Sequence, residues 1–70
     1  MAKKVKLRLE VLLTERKMSR YRLAKLMGTD FQTIDKYYKN TLIRYDSFLL
    51  ASMCEALNCK IEDLLVLAEE

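Results

Sequence analysis

RYRLAKLMGTDFQTIDKYYK, residues 20–39, reads as two short helices joined by a turn too tight for most side chains. Ala24 lies four residues before the chain's single glycine, Gly28, and Ile34 follows six residues after it. Where two such helices cross, the first needs a small residue and the turn needs one that tolerates positive φ. The second helix must then fill the gap with an aliphatic group. Ala24, Gly28 and Ile34 meet these needs in order, which is the spacing of a helix-turn-helix. Leu23, Met27 and Tyr37 supply the inward apolar positions, leaving Arg20, Lys25, Gln32, Lys36 and Lys39 for the outer faces.

The rest of the chain is compatible with a small helical bundle. Seventy residues, 1–70, are enough for one domain with a compact core. There is no proline, and no alternating apolar window bounded by turn signals, so an all-α fold is expected. Val5 to Arg16 is predicted as the first helix, with Val5, Leu9, Leu12 and Leu13 on one face. Met18 drops onto the core and Ser19 caps the second helix, Arg20 to Met27. Thr29 or Asp30 caps the third helix, residues 31–39, which Asn40 ends in a left-handed conformation. In the connector 41–45, Leu42, Ile43 or both should pack inward. Asp46 or Ser47 caps a fourth helix running to Leu57, and Asn58 ends it. Ile61 to Leu67 is predicted as a fifth helix, with an acidic surface from Glu62, Asp63, Glu69 and Glu70.

Charge is unevenly placed. Residues 1–44 hold twelve of the thirteen Lys and Arg but four of the ten Asp and Glu, a balance of +8; residues 45–70 hold one base and six acids, −5. A basic half that coincides with a groove-reading motif points to a polyanion, because neutralised phosphates release counterions. The acidic end should face away from it. Six bases and two acids in residues 1–17, with no long apolar run, argue against a leader or a membrane span, so a cytoplasmic protein is expected. Cys54 and Cys59, without a histidine, cannot close a metal site and should be small buried apolar residues. No cofactor is expected. With no histidine, no carboxylate cluster and no glycine-rich phosphate loop, nothing indicates an enzyme.

On the outer face of the third helix, Gln32 can pair with adenine, Lys36 can donate to guanine, and Thr33 can reach a phosphate or a thymine methyl. Phe31 either packs on thymine methyl groups, folds back onto Met27, or serves a protein partner. Arg20 stands at the amino-terminal end of the second helix, where unpaired amides already favour a phosphate. Arg44 lies in the connector after the third helix and is a candidate phosphate contact. Tyr21 and Tyr38 are either partly buried with a wet hydroxyl or in contact with the DNA backbone.

MSRYRLAKLMG at 18–28, TIDKYYKN at 33–40 and MCEALNCKIEDLL at 53–65 resemble the Cro/C1-type, or XRE, family of bacterial and phage repressors. The resemblance covers nearly the whole chain. It implies a five-helix lambda-repressor-like fold, with the second and third helices as the helix-turn-helix, and a transcriptional regulator, expected to be a repressor. Base readers then fall on Phe31, Gln32 and Lys36, and phosphate contacts on Arg20, Thr33, Lys39 and Arg44. A homodimer on a double-stranded DNA operator is implied, with no room for a small-molecule sensor. The carboxy-terminal helix and the Leu42, Ile43 connector are the expected dimer surfaces. Asn40 departs from the family's glycine, Tyr45 from its proline or aliphatic residue, and Phe31 from its small polar residue. The alternative is a protein-interaction module on the same fold, such as an antitoxin or anti-repressor.

Overall fold

The computed structural model describes residues 2–69. Its elements are β1 (Lys3–Leu7), α1 (Leu9–Glu15), α2 (Arg20–Met27), α3 (Phe31–Tyr38), α4 (Ser47–Leu57), α5 (Ile61–Leu64) and β2 (Leu65–Glu69).

The five helices stand where expected, but the all-α expectation is corrected at both ends of the chain. Residues 3–7 are a strand, which takes Val5 to Leu7 out of the expected first helix, and 65–69 are a strand, which takes Leu65 to Leu67 out of the expected fifth. The two pair antiparallel, with Lys3 opposite Glu69 and Val5 opposite Leu67. Lys4 and Lys6 alternate with Val5 and Leu7 along β1, a period of two that suits a pleated strand. At the other end Leu65 takes φ −112° and ψ 140°, which stops α5 after four residues. Val5, expected on a buried helix face, is 38% exposed.

Local signals set the helix ends. Ser19 Oγ accepts from the Arg22 amide at 3.0 Å, starting α2, and Asp30 Oδ1 accepts from the Thr33 amide at 3.2 Å, starting α3. Between them Gly28 takes φ +70° and closes α2. Open space surrounds its missing side chain, so glycine is required there by backbone conformation rather than by crowding. Asp46 caps α4 through the Phe48 and Leu49 amides, and Asn58 ends it at φ 51°. The third helix ends at Tyr38, one residue early, and Asn40 turns the chain at φ 58°.

The core gathers Leu7, Leu9, Leu12, Leu13, Leu23, Ala24, Ile34, Tyr37, Met53, Leu57 and Leu64. Each fully buried large side chain contributes about 1.5–3 kcal/mol. Met18 and Leu42 pack at its margin, while Ile43 is 89% exposed. Cys54 and Cys59 are half-buried rather than fully buried. Burial, reinforced by the neighbouring Cys54, pushes the Cys59 thiol up and keeps it protonated.

Polar ties lock the strands and connector onto the helices. The Asn40 side chain accepts from the Leu7 amide at 2.8 Å and donates to the Leu7 carbonyl at 3.1 Å. Tyr45 Oη donates to the Val5 carbonyl at 3.1 Å, and the Asp46 amide donates to Tyr37 Oη at 3.0 Å. Arg16 Nε donates to the Leu57 carbonyl at 2.8 Å, satisfying the end of α4. Glu62, Asp63 and Glu69 are exposed, giving the expected acidic surface; Glu70 lies outside the described residues.

Candidate nucleic-acid interface

The packing of α3 divides it into two faces. Ile34, fully buried, and Tyr37 plug it into the core beside Leu23 and Ala24 of α2. With that stripe fixed, Phe31, Gln32 and Lys36 stand on the exposed side. Tyr37 also receives the Asp46 amide, so the last turn of α3 is tied to the cap of α4. The outer face of α3 is therefore held from two directions.

Six of the seven site residues fall into three groups. Thr33, Lys36 and Arg44 line one shallow groove with Tyr45 and Asp46, so the connector brings Arg44 alongside the helix. Arg20 and Lys39 meet through Asp35. Lys39 Nζ lies 3.1 Å from Asp35 Oδ2, and the Arg20 guanidinium is ion-paired to Asp35 Oδ1. Phe31 forms the third group. Its ring centroid lies 6.0 Å from that of Tyr21, and the Arg20 guanidinium carbon stands 5.5 Å above it. Gln32, the seventh, is exposed.

Asp35 is half-buried and joins α2 to α3. Its hydrogen bond to Lys39, with further help from Arg20, holds its carboxyl below the usual carboxylate range. Arg20 is also stacked over the Tyr38 ring at 4.4 Å. The four-residue step from Asp35 to Lys39 was the one signal in the sequence for this cluster. Asp30 is held low as well, chiefly by its hydrogen bond to Thr33, so the cap of α3 carries a full negative charge.

Tyr38 is half-buried, whereas Tyr21 is 70% exposed against the expectation of partial burial. With Lys25, Thr29, Asp30 and Phe31, Tyr21 borders an open cleft at the α2–α3 turn. Among the described residues no group of three or more histidines, cysteines or carboxylates could hold a metal, and no helix is long and apolar enough to cross a membrane.

The profile of the Cro/C1-type helix-turn-helix DNA-binding domain matches residues 8–70. The chain belongs to that family. Two solved structures are similar over most of their length. A protein from Bacteroides fragilis described as a candidate DNA-binding protein shares 26% identity, with a TM-score of 0.79, covering 89% of this chain and 98% of that one. The transcriptional regulator VanUg shares 28% identity at the same TM-score, covering 100% of this chain and 92% of its own. No curated protein matches. The Cro/C1-type chain is thus a DNA-binding domain, with five helices and a two-stranded sheet among its described residues.

Proposed function

We propose that this chain is a sequence-specific regulator of transcription, a cytoplasmic repressor that binds a double-stranded operator as a homodimer of single domains, 1–70. In it α2 and α3 are the helix-turn-helix, α3 enters the major groove, and α2 crosses the backbone above it. Phe31, Gln32 and Lys36 read base edges; Arg20, Thr33, Lys39 and Arg44 hold phosphates. No small-molecule ligand takes part, and the chemistry is binding rather than catalysis.

One observation carries the proposal: the family's DNA-binding domain presents α3 with its apolar side locked in the core and Gln32 and Lys36 free in solvent. Arg44 and Thr33 flank Lys36 in one groove, as a phosphate clamp beside a base reader requires. A single module of this size makes few base contacts, so two half-sites one helical turn apart are needed for tight binding.

The exposed Tyr21–Phe31 pair favours a second possibility, a protein-interaction surface on the same fold. Selection from a random duplex pool separates the two. Enrichment of a two-fold symmetric sequence, lost as salt rises, supports the regulator. No enrichment, together with salt-insensitive capture of a protein, supports the interaction module.

A further inference from the structure

The two strands of the small sheet have very different outer edges. In an antiparallel pair, residues alternate between facing the partner and facing away. The Arg8 amide bonds the Leu64 carbonyl at 2.7 Å, so Lys6 and Lys4 also face β2, while Leu7, Val5 and Lys3 turn their backbone groups outward. That outer edge of β1 is largely closed. The Asn40 side chain takes both the amide and the carbonyl of Leu7, and Tyr45 takes the carbonyl of Val5.

On β2 the residues opposite these, Leu65, Leu67 and Glu69, turn their backbone groups away from β1. The Leu65 amide returns to the Ile61 carbonyl. Among the described residues the Leu65 carbonyl and both backbone groups of Leu67 and Glu69 have no partner. Val66 and Leu67 are 37% and 68% exposed. An apolar edge strand with free amides is a template for another strand.

We infer that β2 pairs with β2 of a second copy of this chain, antiparallel about a two-fold axis at Leu67, forming a four-stranded sheet across the dimer. This rests on the homodimer proposed above and names its surface. The register places Leu67 against Leu67 and Leu65 against Glu69, so the outward residues face one another. Two hydrogen bonds form between the Leu67 residues, and one at each end from a Glu69 amide to a Leu65 carbonyl. Charge selects this pairing. No like charges stand opposite in it, whereas β1 against β1 about Val5 would set Lys4 against Lys6. Pairing of β2 with a neighbour's β1 would propagate as an open filament, and Asn40 and Tyr45 block it. The Leu42, Ile43 connector is then not the principal interface.

Sedimentation equilibrium of the full chain without DNA tests this. Wild type is expected to dimerise in the micromolar range. Leu67→Lys and Leu67→Glu, which place like charges on the axis, each raise the dissociation constant by about tenfold or more, and mixing the two restores the dimer. Rescue on mixing cannot arise from unfolding. Amide exchange of wild type provides a second readout: Leu67 and Glu69 become protected as concentration rises. A wild-type monomer at hundreds of micromolar, unchanged dimerisation of both variants, or rapid exchange of these amides at every concentration overturns the inference. A monomer that still retains duplex DNA removes this interface alone. A β2-paired dimer that retains no duplex removes the DNA-binding proposal alone.

Discussion

Arg20 at the start of α2 is ion-paired to Asp35 in the middle of α3. The pair ties the two helices together, and the guanidinium also lies over the Tyr38 ring. A planar cation held in advance gives up less side-chain freedom when it meets a phosphate. Asp35 carries the opposite charge into the same region, so the cluster both positions Arg20 and limits its attraction for phosphate.

Arg20→Ala is expected to weaken binding to every duplex alike and to make the plot of log affinity against log salt shallower by about one unit. Anisotropy titrations with specific and scrambled duplexes at several salt concentrations measure this. Loss confined to one sequence would make Arg20 a base reader instead.

Gln32→Ala should weaken the preferred site by about 1–3 kcal/mol and leave scrambled DNA nearly unchanged. The same titrations give the result directly. Equal losses for Arg20→Ala and Gln32→Ala would contradict the division between phosphate and base contacts.

Asn40→Ala removes both hydrogen bonds to Leu7 and leaves at φ 58° a residue without asparagine's tolerance of the left-handed region. Chemical denaturation should show a loss of about 2 kcal/mol. Asn40→Gly relieves the backbone strain but not the lost bonds, so it should recover part of this. Equal stability of all three chains would mean that Asn40 does not hold β1.

Acid should weaken the α2–α3 unit. Asp35 and Asp30 are both held below the usual carboxylate range in the folded chain, Asp35 chiefly by Lys39 and Asp30 chiefly by Thr33. Each binds its proton more readily when unfolded. Their contribution is therefore complete above the unfolded carboxylate value and is lost as pH falls through the lower folded value. Thermal unfolding followed against pH should show the midpoint falling across that window, and Asp30→Asn with Asp35→Asn should flatten the fall.

The helices were legible in the sequence because local chemistry sets them. Ser19, Gly28, Asp30, Asp46 and Asn58 mark their own boundaries, and Leu23, Ala24, Ile34 and Tyr37 mark the crossing. The sheet was hidden because neither strand has a turn to announce it. Lys3–Leu7 and Leu65–Glu69 lie at opposite ends of the chain, and five residues of mixed aliphatic and charged type suit a helix as well as a strand. Asn40 shows the same limit. Its left-handed turn is a local property, but its grip on Leu7 depends on the completed fold. The exposure of Gln32 and Lys36 followed from the helical period, whereas the tie between Arg20 and Asp35 needed the crossing angle.

Retention of duplex DNA by the purified chain at low ionic strength, followed as salt is raised, tests the central claim most directly. Binding is expected, with log affinity falling linearly at a slope of about −3 per protomer as Arg20, Lys39 and Arg44 release counterions. No retention of any duplex at low salt, or retention indifferent to salt, would contradict it.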